Sequence, residues 1–307
     1  MLNKNGEDAT EVFDLLFAPE IRYAYLNCLD ELYYMGVIDN NRNQLCHGLN
    51  IAMFALLIIV ASLLILQVIC SLLYVARRNR TLSKAMSEKK VMVMVPCYNE
   101  GDKELRKTIQ SVVETDYPDE SKVLLVIADG IITGRGESMS TPQVLAKLLG
   151  FTFNKEADTA HFYKSIGSSE RNRAFVYHGT HKRETRELKY IVVVKCGTSA
   201  ERSSPRGGNR GKRDSQLIIA GLLNRIHHGR ELCELDAVIC RALGDLNMNP
   251  EDLQYLMAID ADTRVSDKST SQMVYTMETD ESILALCGET RVDNKAQSWV
   301  TMIQVYE

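Results

Sequence analysis

The sequence feature that most constrains the fold is the uncharged run at residues 51–75, IAMFALLIIVASLLILQVICSLLYV. Three polar side chains, Ser62, Gln67 and Ser71, lie among its 25 residues. A helix of about 20 apolar residues crosses a hydrocarbon core of about 30 Å, so this run is long enough to span a membrane. We therefore predict a transmembrane helix over residues 49–76. The alternative, a helix buried in a large soluble domain, is disfavoured by the length of the uncharged run.

The charges on the two sides of this run predict its orientation. Cytoplasmic flanks of membrane helices are enriched in lysine and arginine. The basic residues that follow the run are Arg77, Arg78, Arg80, Lys84, Lys89 and Lys90, whereas the twenty residues before it contain one, Arg42. Residues 77–90 are therefore predicted to be a basic juxtamembrane linker, and residues 91–307 a cytoplasmic domain.

Residues 1–48 are acidic and are predicted to lie outside the cell or in a lumen. Apolar residues such as Leu26, Leu29 and Leu32 recur at helical spacing, which predicts short amphipathic helices there. Cys28 and Cys46 would then lie in an oxidising compartment, where they could form a disulfide.

Residues 91–307 show alternating strand and helix patterns. Short apolar runs predict strands at residues 91–95, 123–128, 191–194, 255–259 and 283–287, and periodic segments predict helices at residues 104–113, 142–149 and 215–228. Such alternation is typical of an α/β fold with a mostly parallel sheet covered by helices on both faces. An apolar content of 45% with 25% charged residues provides the core that this fold needs.

Polar residues directly follow these predicted strands. In open α/β sheets ligands bind outside the carboxyl ends of the strands, so side chains from different strands meet there. The residues that follow a strand are residues 97–100, Asp129, Lys195, Asp260, Asp262 and Glu289. The pattern therefore predicts one ligand site at this edge of the sheet.

Two of these residues belong to the sequence Asp260-Ala261-Asp262. Two carboxylates at the end of a strand can hold a divalent cation, because Mg²⁺ and Mn²⁺ prefer oxygen ligands. A strand that ends in a polar turn is the alternative interpretation, and an isolated Asp-x-Asp sequence favours it.

A basic, glycine-rich segment precedes the predicted helix at residues 215–228. Glycine lets a backbone approach a ligand closely, a helix N-terminus favours anions, and guanidinium groups match phosphate oxygens. The segment contains Arg202, Arg206, Gly207, Gly208, Arg210, Gly211, Lys212 and Arg213. It predicts a cradle for a diphosphate, which beside the Asp-Ala-Asp sequence would suit a metal-bound nucleotide. A flexible, solvated basic loop is the alternative.

Other phosphate chemistry is disfavoured. The segment lacks P-loop spacing and has no aromatic residue for base stacking, and the whole chain has a net charge of −4. We therefore expect no nucleic-acid partner.

Five ordered motifs together resemble those of chitin synthases. They are VPCYNE at residues 95–100, IADG at 127–130, GNRGKRDSQ at 208–216, DAD at 260–262 and CGETR at 287–291, followed by SWVTMIQVYE at 298–307. Residues 27–46 resemble the division of fungal chitin synthases whose members often have a myosin motor. The resemblance extends over nearly all of the chain from about residue 27.

The resemblance implies a GT-A-type domain that works as a processive, inverting glycosyltransferase. Its donor would be UDP-N-acetylglucosamine, and its acceptor a β-1,4-linked chitin chain that passes through the membrane. By resemblance, Tyr98, Glu100 and Asp129 hold the uridine. A plasma-membrane or secretory-vesicle location and the lipid bilayer as a partner are also implied, and a homo-oligomer is possible.

The resemblance also suggests roles for the remaining site residues. Lys195, Lys212 and Arg213 would lie along the uridine and diphosphate path. Asp262 would bind Mg²⁺ or Mn²⁺, with Asp260 in support. Glu289 would face the donor sugar.

Two motifs of the family do not occur in this sequence. They are a later Glu-Asp motif, which provides the general base, and a Gln-x-x-Arg-Trp motif. We therefore expect a truncated catalytic domain, with the base beyond Glu307 and no catalytic residue within the chain, and we expect the chain to be inactive alone.

Three alternatives stay open at this point. The parent could make another polysaccharide, such as hyaluronan or cellulose. The chain could be a membrane-anchored regulatory or assembly protein without catalysis. It could also use its basic loop to bind nucleic acid or anionic lipid.

Overall fold

The computed structural model describes residues 15–33, 44–78, 84–167, 170–201, 204, 206–290 and 298. The chain divides into two units, Met1–Asn79 and Arg80–Glu307. The first unit contains helix α1 (Pro19–Tyr33) and helix α2 (Gln44–Arg78). Within α2, Gly48–Tyr74 is long and apolar enough to cross a membrane, and its side chains are exposed in the protein. An apolar helix is therefore present where one was predicted and is a candidate membrane span, whereas the predicted bounds of the span, residues 49–76, stay a prediction.

Helix α1 lies in the region where amphipathic helices were predicted. Its apolar side chains Leu26 and Leu32 are exposed. Cys28 is an exposed free thiol on this helix, and the side chain of Cys46 lies outside the described residues. The Cys28–Cys46 disulfide therefore stays a prediction.

The second unit contains six strands and six helices among its described residues. The strands are β1 (Lys90–Cys97), β2 (Lys122–Ala128), β3 (His161–Lys164), β4 (Arg171–Arg183), β5 (Arg186–Lys195) and β6 (Leu253–Ala258). The helices are α3 (Lys84–Ser87), α4 (Asp102–Glu114), α5 (Thr141–Leu149), α6 (Lys212–His227), α7 (Glu234–Asp245) and α8 (Ser269–Thr279).

These strands form one sheet in the order β3-β4-β5-β2-β1-β6. Strand β1 pairs in parallel with β2 and with β6, and β2 pairs in parallel with β5. The remaining pairs, β3 with β4 and β4 with β5, are antiparallel. The mostly parallel sheet is confirmed, and it continues into an antiparallel portion that the sequence patterns did not indicate.

Both faces of the central strands are buried, as expected for parallel strands between helices. Along β1, Val91, Val93 and Val95 pack into a core that also contains residues of α4 and α5. Met92 and Met94 face the opposite side, where the core contains residues of α6 and α7. The central strands thus lie between two layers of helices. Because these strands are parallel, their carboxyl ends lie at the same edge of the sheet.

Local sequence explains where helix α5 begins and ends. The Ser140 backbone N–H donates to Gln143 Oε1 at 2.8 Å, and the two residues form a capping box, with Pro142 in the first turn. The helix ends at Gly150, whose φ of 84° is left-handed.

Two predictions about strands need correction. Strand β6 was expected to be buried on both faces, but it is the last strand of the described sheet, and Gln254, Leu256 and Ala258 are exposed. The strand predicted at residues 283–287 is not a strand, and Leu284 is 91% exposed. An apolar run alone does not make a strand, because a strand also needs a partner for its backbone groups.

Candidate functional site

A cleft of about 230 Å³ opens at the carboxyl ends of β1, β2 and β6. It brings together most of the side chains that the sequence places after strands. The cleft is lined by Pro96, Cys97, Tyr98, Glu100, Asp129, Lys212, Asp260, Ala261 and Asp262. The edge of the sheet predicted to bind a ligand is therefore where the cleft lies.

The Asp-Ala-Asp turn is anchored through its buried middle residue, and the two aspartates beside it are exposed. Ala261 is 3% exposed, and its carbonyl oxygen accepts a 2.7 Å hydrogen bond from Thr108 Oγ1 of helix α4. On each side of it, Asp260 and Asp262 are exposed and line the cleft. The helix thus anchors the turn by its middle residue and leaves both carboxylates at the surface of the cleft.

Lys212 faces the same cleft as the first residue of helix α6. Its Nζ forms an ion pair with Asp260, and both side chains are about half exposed. The N-terminus of α6 carries the positive end of the helix dipole and has no side-chain cap. Lys212 and this helix end therefore add positive charge beside the two carboxylates.

Asp129 lies at the back of the cleft and is 4% exposed. Its Oδ1 accepts a 2.9 Å hydrogen bond from the backbone N–H of Arg210, and its Oδ2 accepts a 2.7 Å bond from that of Gly211. Asp129 thereby holds the glycine-rich segment against the end of β2.

Lys195 is fully buried beneath the cleft and is not part of its lining. Its Nζ lies 2.9 Å from Asp129 Oδ1 and 2.8 Å from Asp214 Oδ2, and it also donates to the Gly211 carbonyl oxygen at 3.3 Å. One buried cation thus pairs with two buried carboxylates, one at the end of β2 and one on α6. The structure places Lys195 behind Asp129, and its predicted position along the uridine and diphosphate path stays a prediction.

Two more buried polar residues extend this network. Tyr163 Oη donates to Asp214 Oδ2 at 2.8 Å and accepts a 2.7 Å bond from Asn172 Nδ2. Burial raises the pKa of Tyr163 well above its usual range, and the charge and hydrogen bond of Asp214 raise it further. The phenol therefore stays neutral and donates its proton to Asp214.

Asn172 connects this network to the glycine-rich segment. Its Nδ2 donates to the Gly208 carbonyl oxygen at 2.9 Å, and its Oδ1 accepts from the Gly197 N–H at 3.0 Å. Gly208 has a φ of 83°, and a Cβ there would lie 2.5 Å from the Gly197 nitrogen. Glycine is required at this position because two backbone segments touch.

The remaining basic residues of the segment differ in their accessibility. Arg210, predicted for the diphosphate cradle, points its guanidinium at Glu201, with Nη2 to Oε2 at 2.8 Å, and is 10% exposed. This hydrogen bond lowers the pKa of Glu201. Arg206 and Arg213 are exposed and do not line the cleft, and Arg202 lies outside the described residues. Lys212 is the basic side chain of the segment that the described structure places in the cleft.

Glu289 does not line this cleft. It is exposed on the irregular segment after α8, and its predicted contact with the donor sugar stays a prediction. Tyr98 and Glu100 do line the cleft, and the Tyr98 N–H donates to Glu100 Oε2 at 2.6 Å. The cleft therefore holds Tyr98, Glu100, Asp129, Lys212, Asp260 and Asp262 together.

Cys97 also lines the cleft but is not a nucleophile. Burial, followed by the charges of Glu100 and Asp129, raises the pKa of its thiol well above the usual range. A thiol rather than a thiolate results, and thiols react poorly.

The residues present fit a cation that shares its ligands with a substrate. Among the described residues, no three or more His, Cys, Asp or Glu side chains cluster as a metal cage. Asp260 and Asp262 provide two carboxylates, and Mg²⁺ commonly binds one or two carboxylates together with substrate phosphates and water. A cation would therefore need a phosphate-bearing substrate to complete its ligand shell.

The sequence patterns did not identify three residues of the buried network, which are Asp214, Tyr163 and Asn172. Asp214 lies within the GNRGKRDSQ motif, but its position in the first turn of α6 suggests an exposed helix-dipole partner. Tyr163 and Asn172 belong to β3 and β4, which no apolar run indicated. Asp214 could have been found from the helix face that it shares with Ile218, which is buried.

A mixed α/β domain that gathers an Asp-Ala-Asp turn and a basic glycine-rich loop at one edge of a six-stranded sheet is consistent with the predicted class, the glycosyltransferases. The chain belongs to the chitin synthase family, because the family model described as "Chitin synthase" matches residues 65–307.

Curated relatives agree with this membership. The chain is 35% identical to chitin synthase A of Colletotrichum graminicola and 38% identical to chitin synthase 6 of Mycosarcoma maydis, over 98% of its length in each case. It is 34% identical to chitin synthase 5 of Pyricularia oryzae over 92% of its length. It covers 17%, 25% and 16% of these proteins, so it spans a quarter or less of their length.

Proposed function

We propose that this chain is the donor-binding part of a chitin synthase that uses UDP-N-acetylglucosamine. The parent enzyme would transfer N-acetylglucosamine to a β-1,4-linked chitin chain with inversion. The observation that carries the proposal is the cleft in which Asp129, Lys212, Asp260 and Asp262 meet at the carboxyl edge of the sheet. A nucleoside diphosphate sugar suits this cleft because it has both a base that donates hydrogen bonds and a charged diphosphate.

The base would lie against the inner end of the cleft. Asp129 can accept a hydrogen bond from the uracil N–H, since its Oδ2 accepts from the Gly211 N–H and a carboxylate oxygen can accept a second hydrogen bond. Tyr98 and Glu100 line the same wall and would position the uridine. Lys195 is assigned a positioning role, because its Nζ donates to Asp129 Oδ1 from beneath the cleft and fixes the orientation of that carboxylate.

The diphosphate would lie between Lys212 and the Asp-Ala-Asp turn. Lys212 and the N-terminus of α6 attract the negative oxygens. Asp262 would hold Mg²⁺ or Mn²⁺ and Asp260 would support it; when bound, the cation offsets the charge of the leaving diphosphate. We assign no residue of this chain to activation of the acceptor hydroxyl.

We further propose that residues 80–307 face the cytoplasm of a plasma or vesicle membrane. Support comes from the candidate span Gly48–Tyr74 and from the basic residues that follow it. The growing chitin chain and the bilayer would then be partners of the parent enzyme.

The test is donor binding by the whole chain in lipid nanodiscs, measured by isothermal titration with and without Mg²⁺. We expect UDP-N-acetylglucosamine to bind with Mg²⁺, and Asp262→Asn and Lys212→Gln each to weaken binding by about tenfold or more, because each change removes a charged contact. UDP-glucose and UDP-glucuronate are titrated in parallel to separate chitin synthesis from synthesis of other polysaccharides.

Asp267→Asn is the matched control, since Asp267 is an exposed carboxylate five residues after Asp262 that does not line the cleft. Its affinity should equal that of the unchanged chain. Metal-independent binding that survives Asp262→Asn would refute the metal assignment. Stronger binding of UDP-glucose or UDP-glucuronate would refute chitin as the product.

A further inference from the structure

A second cleft, of about 320 Å³, lies at the antiparallel end of the sheet. It is lined by Phe162, Arg171, Arg173, Thr198 and Ser199 and shares no lining residue with the first cleft. The proposed donor site does not use any of these five residues. The cleft therefore needs an explanation of its own.

Strand register places a cationic and aromatic group on one face of the β3–β4 pair. Phe162 is directly opposite Arg173, and Lys164 is directly opposite Arg171. Cross-strand partners point to the same face, and so do residues two apart along a strand. The side chains between them, Tyr163 and Asn172, are buried on the other face. Arg171, Arg173 and Lys164 thus lie on the same face of the β3–β4 pair as Phe162.

The two arginines have no carboxylate partner among the described residues, where neither forms an ion pair. The carboxylates that lie nearby have other partners. Glu170 is 3.5 Å from Lys164, and Glu234 accepts a 2.9 Å hydrogen bond from the backbone N–H of Phe162. Arg173 Nη1 donates a long, 3.5 Å hydrogen bond to the Ala160 carbonyl oxygen, which leaves its other N–H groups and the guanidinium of Arg171 available to an anion from outside the chain.

We propose that this cleft binds a small phosphate-bearing molecule of the sugar-phosphate class. Guanidinium groups bind phosphate oxygens through paired, charge-assisted hydrogen bonds. The hydroxyls of Thr198 and Ser199 can bond to phosphate or sugar oxygens, and Phe162 offers a flat apolar wall for a sugar ring. The volume lies at the lower end of the range of ligand pockets, which suits one sugar ring with its phosphate.

Backbone contacts connect this cleft to the donor site. The Arg173 carbonyl oxygen accepts from the Cys196 N–H at 2.9 Å, and the Arg171 carbonyl oxygen accepts from Arg210 Nη2 at 3.4 Å. Between the two arginines, Asn172 holds the Gly208 carbonyl oxygen. A ligand that stiffens β3 and β4 would stabilise the glycine-rich loop, and the donor would in turn strengthen its binding.

The phosphate could be part of a soluble metabolite or of a lipid headgroup, and the chemistry of recognition is the same. The whole chain is therefore placed in nanodiscs of phosphatidylcholine, with or without phosphatidic acid. Glucose 6-phosphate and inorganic phosphate are the soluble probes, and glucose is the neutral control. Competition of phosphatidic acid with glucose 6-phosphate would identify the lipid source.

We expect glucose 6-phosphate to bind in phosphatidylcholine nanodiscs, measured by phosphorus NMR line broadening, and glucose not to bind. Arg171→Gln and Arg173→Gln should each reduce the affinity by about tenfold. Lys182→Gln removes a charge from the far end of the same strand and should have no effect. Lys212→Gln, which damages the donor cleft, should also leave this binding intact.

Two results would overturn the proposal. The first is affinity that is unchanged in both arginine variants, and the second is loss of binding in Lys212→Gln with retention in Arg171→Gln. The second result would place the phosphate in the donor cleft. Circular dichroism checks the folding of each variant. Arg171→Gln serves if Arg173→Gln does not fold, because Arg171 is exposed. Binding of glucose 6-phosphate is measured without UDP-N-acetylglucosamine. The result is therefore independent of whether the chain binds that donor.

Discussion

Lys195 shows how a site can depend on a residue that no ligand touches. Its ammonium group lies between Asp129 and Asp214, and all three side chains are buried. Removing one partner from such a group leaves uncompensated buried charge, which typically costs about 3–5 kcal/mol of stability. At the residue scale, the first cleft therefore depends on buried ion pairs behind Asp129.

Replacing Lys195 by methionine should lower the free energy of unfolding by about 3–5 kcal/mol and weaken donor binding as well. Two buried carboxylates lose their cation, and Asp129 can no longer hold the glycine-rich loop. Chemical denaturation of the chain in detergent measures the first effect, and titration with UDP-N-acetylglucosamine measures the second.

Lys122→Met is the matched control for this change. Lys122 is equally buried, but its partner Asp119 is partly exposed and keeps Arg186 at 3.2 Å. We expect a smaller loss of stability and unchanged donor binding. A Lys195→Met variant as stable as the unchanged chain would show that the ion pairs of Lys195 with Asp129 and Asp214 make no net contribution to stability.

Tyr163 predicts a specific dependence of stability on pH. Its pKa is raised in the folded protein by burial and by Asp214, whereas an unfolded tyrosine titrates near pH 10. Below about pH 10 both states keep the proton, and the contribution of Tyr163 is fully present. As the pH rises above 10, the unfolded state alone ionises, and that contribution falls by about 1.4 kcal/mol per pH unit.

The measurement compares the unchanged chain with Tyr163→Phe, which cannot ionise. The variant should be less stable at pH 8, because Asp214 and Asn172 each lose a hydrogen-bond partner. The difference between the two proteins should shrink above pH 10. A difference that stays constant to pH 11 would contradict the buried neutral phenol.

The sequence predicted the residues that line the cleft better than it predicted the buried residues that hold them in position. Asp129, Asp260 and Asp262 follow apolar strands, and the rule that strand ends share one edge brings them together. Lys195 follows a strand in the same way, so the pattern gave it the same role. Its burial results from Asp214 on α6 and from β4, and neither contact is visible in the local sequence around Lys195.

At the scale of elements, the parallel strands were predictable because they are apolar on both faces. Strand β4 has the sequence RNRAFVYHGTHKR, and only some of its residues face the core. Such a strand shows no continuous apolar run, so the sequence patterns did not predict β3 and β4. Helix α7 escaped as well, although Leu235, Ile239 and Leu243 recur every four residues.

The contact between the β5 exit and the glycine-rich loop gives a test at this scale. Gly208→Ala would place a Cβ against backbone atoms of Gly197 and Cys196, in a left-handed conformation. We expect a loss of about 3 kcal/mol or more and impaired donor binding, because both strain and a backbone clash must be relieved. Chemical denaturation and donor titration give the two values.

Gly136→Ala separates strain from contact. Gly136 has a similar φ of 88°, but no atom lies within 4 Å of the added Cβ. We expect a loss of about 1–2 kcal/mol from the backbone conformation alone. Equal losses in the two variants would mean that the backbone contact at Gly208 is unimportant.

At the scale of the whole molecule, the chain consists of a unit with a candidate membrane span and an α/β unit that contains both clefts. Exposed free thiols occur in each, at Cys28 and at Cys287. These two residues make the proposed orientation measurable without adding a label site.

In intact cells that express the chain with Cys46→Ser, a membrane-impermeant maleimide should label Cys28 and not Cys287. This result is expected because, in the proposed orientation, the positive charge after the span would retain the α/β unit in the cytoplasm. Cys28→Ser should abolish labelling of intact cells, and permeabilisation should expose Cys287. Labelling of Cys287 in intact cells would reverse the proposed orientation.

Strand β6 has a consequence for how the protein behaves in concentrated solution. Among the described residues no strand pairs with β6 on the side away from β1, and Leu256 is 42% exposed. An open, partly apolar strand edge is a template on which a second chain can add its own strand. The strand that leads to the Asp-Ala-Asp turn therefore also offers a pairing edge to a second molecule, directly beside the cleft.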